Sequence, residues 1–257
     1  MTLIVLGTVV ALAAAARSTW SPCGLSMLSQ LTPLAEAGRR HRWAPTAGWF
    51  VAGAALGGLT LGAVMALGAA LVGALGVSAN AALVLTAVLA LAAAATDAEL
   101  FSAGPPWLCR QVNEAWLSQY RRWVYASGFG WQIGAGLTTY VMTAAVPLMM
   151  LIGALTGNPA VAFAIGGLFG LTRGSAVLLG ARIRTPDALF AAHRHFDALT
   201  TPVRDVAIVV QLAVAVSAGC AGLPFLAAIA VCGAAIAVAT QLTTRPLPRR
   251  EQESNLR

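Results

Sequence analysis

One cysteine of this chain lies where the surrounding residues could support chemistry. Cys23 follows Pro22 inside an apolar N-terminal stretch, and Ser18, Thr19 and Ser21 add polar groups beside it. Proline removes a backbone donor and disturbs the preceding helical turn, so the freed carbonyl groups need polar partners inside a membrane. A thiol at such a position becomes a nucleophile when its thiolate is stabilised. We therefore take Cys23 as the candidate catalytic thiol and Pro22 as the residue that shapes its site.

Two arginines also fall inside apolar stretches. Arg17 directly precedes the polar interruption, and Arg173 lies within a later apolar run. A charge at the membrane centre costs at least ~2.5 kcal/mol, so such residues usually face a protein interior or a cavity. Together the two arginines could hold a small anion, Asp97 or Glu99 could pair with them, or Arg173 could snorkel to the interface. The candidate binding residues are Arg17, Trp20, Trp131, Gln132 and Arg173.

The remaining cysteines and histidines do not form a metal-binding pattern. Cys109, Cys220 and Cys232 lie outside any CxxC or zinc-type spacing, and we read each as a small apolar residue. His193 and His195 are two positions apart, so on a helix they point to different sides. We predict no metal site and no cofactor.

The composition identifies lipid as the solvent for most of the chain. Hydrophobic residues make up 58% and charged residues 10%, and the mean hydropathy is +0.77. The net charge of +7 comes from arginines in short clusters between apolar runs, which is typical of membrane topology signals rather than of nucleic-acid binding. We therefore predict an all-α polytopic membrane protein whose partner is the lipid bilayer and not nucleic acid.

Stretches of about 20 apolar residues are long enough to cross the hydrocarbon core. They predict one transmembrane domain over residues 1–242, followed by a disordered cytoplasmic tail over 243–257. The sixth and seventh spans are close enough to form one bent helix instead. The predicted spans are 3–31 with an interruption at 18–24, 46–75, 80–95, 126–155, 159–179, 203–218 and 223–242.

Arginine-rich connections alternate with uncharged ones. Under the positive-inside rule this places the N-terminus outside and the C-terminus in the cytoplasm of a bacterial inner membrane. No basic residue precedes Arg17, so we read the first apolar run as a retained helix rather than a cleaved signal. Residues 107–124 predict an amphipathic interfacial helix, and residues 185–199 predict a second, weaker one.

A repeat is visible at a constant offset. The sequence GLTLG at 58–62 matches GLTRG at 170–174, an offset of 112 (170 minus 58), and GLS at 24–26 matches GLT at 136–138 at the same offset. Three spans separate the copies, so the halves have opposite orientation, as in inverted-repeat transporters. We predict halves at 1–97 and 125–218 with an extra helix at 223–242. The glycine-rich stretch 128–136 is the counterpart of the first break, or simply a closely packing helix.

The motif Trp20-Ser21-Pro22-Cys23-Gly24 resembles the CcdA and DsbD transmembrane family. The resemblance implies an inverted three-plus-three fold that passes reducing equivalents from cytoplasmic thioredoxin to an external partner, with one reactive cysteine in each half. Cys23 matches the first-half cysteine. The second-half position falls at Ala135, preceded by Gly134, so the second Pro-Cys pair is absent and this chain cannot close that disulfide alone. Cys23 then forms mixed disulfides with a partner, or the redox chemistry has been lost.

Three functions follow, and none is that of a soluble enzyme. The first is thiol-linked transfer of reducing equivalents, or binding of a thioredoxin-like or other thiol partner, through Cys23. The second is secondary transport or export of a small, possibly anionic, substrate through Arg17 and Arg173. The third is that of a membrane assembly factor that transports nothing.

Overall fold

The computed structural model describes residues 1–100, 119–136 and 142–243. Throughout these ranges the regular structure is helical, and six helices are long and apolar enough to cross a membrane. This confirms an all-α membrane protein with multiple spans. The predicted amphipathic helix at 107–124 lies mostly outside the described residues, as does all of the tail after 243. The six helices are Thr2–Thr19, Trp43–Ala74, Ala79–Asp97, Pro159–Arg182, Pro186–Gly222 and Phe225–Leu242.

The first predicted span is divided where the sequence predicts a break. Helix α1 (Thr2–Thr19) ends before Trp20, α2 (Pro22–Gln30) begins at once, and the short α3 (Pro33–Gly38) follows. The sequence predicts that Pro22 disturbs the helical turn before it. In the structure Pro22 instead begins a new helix, because it occupies the first turn of α2, where its missing donor costs nothing.

The next two spans are continuous helices. They are α4 (Trp43–Ala74) and α5 (Ala79–Asp97), close to their predicted bounds. The polar side chain of Ser78 starts α5 by accepting a hydrogen bond from the backbone N–H of Ala81 at 3.2 Å.

The fourth predicted span, 126–155, is not one helix. It consists of α6 (Arg122–Ala135) and α7 (Ala145–Leu155), which have 14 and 11 residues. At 1.5 Å per residue they are ~21 Å and ~16 Å long, so neither crosses a 30 Å core alone. The glycine-rich stretch stays helical up to Ala135 and ends at Gly136, whose φ of 68° suits only glycine.

The later part of the chain differs from prediction in one helix. After α8 (Pro159–Ser175) and a 3-10 segment (Ala176–Arg182), a single helix of 37 residues, α9 (Pro186–Gly222), replaces the predicted amphipathic helix and sixth span. Pro202 lies inside it without ending it. The N-terminal part of α9 packs against the first break through Phe196, which contacts Trp20. Helix α10 (Phe225–Thr243) is separate, because Leu223 is extended.

Glycines bring three helices of the bundle into backbone contact. A methyl group at Gly53 or Gly57 of α4 would collide with backbone atoms of α6, and one at Gly58 or Gly62 would collide with backbone atoms of α8. In lipid, where apolar burial does not drive helix association, such close packing holds helices together. The glycine-rich sequence of α6 is therefore explained by packing, since Gly130 and Gly134 lie directly on the α4 backbone.

Candidate functional site

The predicted thiol lies at the start of α2. The Ser21 side chain caps this helix by accepting a hydrogen bond from the backbone N–H of Gly24 at 3.3 Å, and Cys23 is the second helical residue. Its side chain is 1% exposed. A methyl group at Gly24 would overlap the backbone carbonyl of Thr19, so the two ends of the break are pressed together. The sequence WSPCG thus forms a tight, buried junction between two helices.

Arg173 occupies the interior of this junction. The side chain is 2% exposed, so it does not snorkel to the interface. Its Nη1 donates a hydrogen bond to the carbonyl of Ile133 at 2.8 Å, and its Nη2 donates to the carbonyl of Ser18 at 3.4 Å and to Ser21 Oγ at 3.5 Å. Ser18 and Ile133 lie in the last turns of α1 and α6, and each carbonyl also accepts one backbone N–H, from Ser21 at 3.2 Å and from Gly136 at 3.3 Å. One guanidinium therefore serves two helix C-termini, whose dipoles favour a positive charge.

The Arg173 charge also acts on Cys23. The guanidinium and the thiol are close enough to interact electrostatically. A positive charge and a helix N-terminus are the two features that most often stabilise a thiolate, and apolar burial opposes both. The junction therefore holds a cysteine with the surroundings of a nucleophile, enclosed by protein.

The Cys23 junction lies near the end of the bundle where α4 and α6 begin. Cys23 belongs to a buried cluster with Phe50, Tyr125 and Phe129, which are in the early turns of α4 and α6. Those helices begin at the arginine-rich connections that contain Arg42 and Arg121. Helix α1 has 18 residues, so at 1.5 Å per residue it already covers ~27 Å before the break.

A cavity of about 540 Å³ opens beside the junction. It lies between α2 and the N-terminal part of α9, where Ser29 Oγ and His193 Nε2 are hydrogen-bonded at 3.1 Å. At the break itself, Trp20 donates a hydrogen bond from Nε1 to the carbonyl of Phe196 at 2.9 Å and packs on its ring with centroids 5.0 Å apart. Trp20 thus fastens α9 to the break. The cavity is lined by Pro22, Leu25, Ser26, Ser29, Gln30, His193 and Asp197.

Arg17 lies in a different polar cluster. It is 6% exposed and interacts electrostatically with Asp97, although no direct ion pair joins them in the described structure. Asp97 accepts hydrogen bonds from Thr143 Oγ1 at 2.5 Å, the Ala144 backbone N–H at 2.7 Å and Gln211 Nε2 at 2.7 Å. Among the residues described, neither Arg17 Nη1 nor Gln211 Oε1 has a hydrogen-bond partner.

The predicted site residues therefore separate into groups. The structure brings Pro22, Cys23 and Arg173 together, with Trp20 at their edge, but it does not join Arg17 to Arg173 in one anion site. Trp131 on α6 is 40% exposed, and the neighbouring Gln132 is half-buried. None of the hydrogen bonds described above joins either residue to the Cys23 junction. Within the described ranges, no group of three metal-ligating side chains is present.

Sequence reasoning missed one buried acid at the same end of the bundle. Glu36, in α3, is fully buried and accepts hydrogen bonds from Thr46 Oγ1 at 2.6 Å, Tyr125 OH at 2.9 Å and Arg39 Nη1 at 2.9 Å. These hydrogen bonds link α3 with α4 and α6. The available signal was a single acid between the first span and the arginine cluster at 39–42.

Comparison with known proteins identifies relatives of this chain. It is 33% identical over 187 residues to the methylamine utilization protein MauF of Paracoccus denitrificans, covering 71% of this chain and 67% of that protein. The chain belongs to the MauF family. The MauF proteins of Paracoccus versutus and Methylobacillus flagellatus are also 33% identical, over 157 and 171 residues.

The match to these MauF proteins is not complete in length. The aligned part is 61% of this chain and 57% of the P. versutus MauF, and it is 64% of this chain and 59% of the M. flagellatus MauF. No protein-family model and no solved structure matches the chain.

Proposed function

We propose that this protein is a multi-pass inner-membrane component of methylamine utilization in which Cys23 exchanges disulfides with a thioredoxin-like or other thiol partner. The role in methylamine utilization is supported by the name of the relatives. The thiol role is supported by the position of Cys23 at a helix N-terminus beside the buried Arg173. This one observation carries the proposal.

We also propose the inverted repeat and the relationship to CcdA and DsbD. The contacts between α4 and α8 support the repeat. Gly58 lies against Gly170, Gly62 against Gly166, and Gly174 against Ala54. At the repeat offset of 112, residue 58 corresponds to residue 170. Residue 62 corresponds to 174 and residue 166 to 54, so the contact between 62 and 166 corresponds to the contact between 174 and 54. This interface is what a two-fold axis passing between the two helices would produce.

A single cysteine can transfer two electrons if both partners reach it in turn. The Cys23 thiolate attacks a disulfide of the first partner, a mixed disulfide forms, and the displaced sulfur leaves as a thiolate. A thiolate of the second partner then attacks the Cys23 sulfur and releases the first partner as a dithiol. The other thiol of the second partner then attacks the new mixed disulfide and releases Cys23 as a thiolate. The first partner is reduced, the second is oxidised, and Cys23 is unchanged.

The direct test is labelling of Cys23 with a small, membrane-impermeant thiol reagent. Cys109, Cys220 and Cys232 are replaced by Ser, and inside-out vesicles are compared with intact spheroplasts. We expect labelling from the side of the arginine-rich connections, where the cavity beside Pro22 lies. No labelling from either side in reducing or oxidising conditions would remove the thiol role.

Growth of the native host separates the two parts of the proposal. Deletion of the gene should prevent growth on methylamine, and the intact chain should restore it. Cys23→Ser should fail to restore growth while reaching the same membrane level. Restoration by Cys23→Ser would leave the methylamine role and refute the thiol role, and normal growth of the deletion strain would refute the methylamine role.

One observation favours a second candidate, the transport of a small polar solute. Buried hydrogen-bonding groups without partners are costly, so Arg17 Nη1 and Gln211 Oε1 mark a place where a solute could bind. In that case Arg17→Gln should abolish growth on methylamine while Cys23→Ser supports it. An assembly factor would tolerate both substitutions as long as the chain remains folded.

A further inference from the structure

Two other thiols meet at the opposite end of the bundle. Cys220 is exposed in the last turn of α9, and Cys232 is half-buried in the third turn of α10. Their side chains are near enough to each other to interact electrostatically. The two helices are in contact there, because a methyl group at Gly219 would lie 3.1 Å from the side chain of Val231. Each cysteine thus directly follows a residue of this contact, and neither is in a disulfide in this structure.

This pair is remote from Cys23. The junction around Cys23 contacts α9 at Phe196, and Cys220 lies 24 residues further along the same helix (220 minus 196). At 1.5 Å per residue this is ~36 Å. The pair therefore cannot complete the disulfide that the Cys23 half-site lacks, and any role it has is independent of Cys23.

Helix α10 needs an attachment more than the other spans do. Only 11% of its apolar window is buried, whereas the other five spans have between 33% and 50% of theirs buried. Its main contact is α9, along an apolar groove of about 560 Å³ to which Cys232 and Ser217 contribute at the end nearest Cys220. A covalent bond at this position would hold the least buried span to the bundle.

We propose that Cys220 and Cys232 form a reversible disulfide that fastens α10 to α9. The oxidant is an external disulfide, from a protein or a small molecule. The exposed Cys220 thiolate attacks it, forming a mixed disulfide and releasing one thiolate. Cys232 then attacks the Cys220 sulfur, so that the Cys220–Cys232 bond forms and the second external sulfur leaves as a thiolate. Two electrons pass from the two cysteines to the external disulfide.

The location is suited to this exchange. The connection between the two helices, at Leu223 and Pro224, carries no charge, whereas the opposite end of the bundle has the arginine-rich connections. The charge pattern therefore puts the pair on the external side of a bacterial inner membrane, where disulfides persist.

Differential alkylation of the full chain in native membranes tests the inference. In a background with Cys23 and Cys109 replaced by Ser, free thiols are blocked with light N-ethylmaleimide. The protein is then reduced, labelled with the heavy reagent and analysed by mass spectrometry. After treatment with oxidised glutathione we expect Cys220 and Cys232 to carry heavy label in equal amounts. Dithiothreitol should return both to the light form, and hydrogen exchange along α10 should be slower in the oxidised form.

Two variants serve as controls. With Cys220→Ser, Cys232 should lose the heavy label that comes from an internal disulfide. Combining Cys220→Ser with Ala221→Cys turns the thiol by about 100° around the helix, and it should no longer pair with Cys232. Persistent light labelling of the native pair after oxidation, or equal pairing by Ala221→Cys, would overturn the proposal. Neither result bears on Cys23, which is absent from this background.

Discussion

At the scale of single residues, Arg173 explains how a break in two helices can be buried. A lone guanidinium in a membrane protein is costly, yet here it donates to the carbonyls of Ser18 and Ile133 in the last turns of α1 and α6, where it adds to the backbone hydrogen bonds that these carbonyls already accept. Its position therefore has a structural reason, and the same charge acts on Cys23. Under the proposed thiol role, both the stability and the chemistry of this site involve the same side chain.

Replacing Arg173 should destabilise the protein strongly. Arg173→Lys keeps the charge but cannot reach the separate carbonyls with a planar fork, so we expect a loss of about 1.5–3 kcal/mol for each charge-assisted hydrogen bond that is lost. Thermal unfolding in detergent measures the change. Arg184→Gln is the control. Arg184 is exposed in the connection just before α9, so its replacement should leave the melting temperature unchanged.

Gly24 should tolerate no side chain. Gly24→Ala places a methyl group against the Thr19 carbonyl, and overpacking of this kind costs about 1–3 kcal/mol. The matched control is Gly48→Ala in α4, where nothing lies within 4 Å of the added methyl group. Thermal unfolding of both variants should show a lower melting temperature only for Gly24→Ala, and an equal response would mean that the junction is looser than described.

At the scale of elements, the long helix α9 connects the two ends of the molecule. Its N-terminal part covers the Cys23 junction through Phe196 and His193, and its C-terminal part carries Cys220. Helix α2 has only nine residues, and the hydrogen bond between Ser29 and His193 links it to α9. We expect access to the thiol from the neighbouring cavity to depend on separating α2 from α9.

This dependence can be measured. His193→Ala removes the hydrogen bond to Ser29, so α2 and α9 should separate more often and Cys23 should be alkylated faster. His195→Ala is the matched control, since this exposed side chain is two positions away on the same helix. Equal alkylation rates in both variants would show that Cys23 is reached by another route.

At the scale of the whole molecule, the arginine pattern predicts the orientation of the bundle. With α6 and α7 together taken as one crossing, we expect the chain to cross an odd number of times and its ends to lie on opposite sides. Reporter fusions at Arg40 and Arg250 should indicate the cytoplasm, and a fusion at Asn158 should indicate the outside. A fusion at Asn158 that reports the cytoplasm would mean that the α6–α7 pair does not cross.

Local signals were enough to predict much of this protein from its sequence. Hydropathy and length determine where the long helices lie, because each span must satisfy its own backbone in lipid. The break at Ser21-Pro22 was also predictable, since a polar cap followed by proline starts a helix whatever its neighbours. The same local signals located the polar and thiol-bearing residues of the first break.

Features that depend on contacts between distant parts of the chain could be known only from the tertiary structure. Helix α9 continues through Pro202 and contacts Trp20 at Phe196, and α6 ends at Gly136, where Arg173 reaches the carbonyl of Ile133. Sequence could not decide whether Arg17 and Arg173 share a site, nor that Cys220 meets Cys232. These outcomes depend on how helices rotate and cross, and a one-dimensional pattern of hydropathy contains no such information.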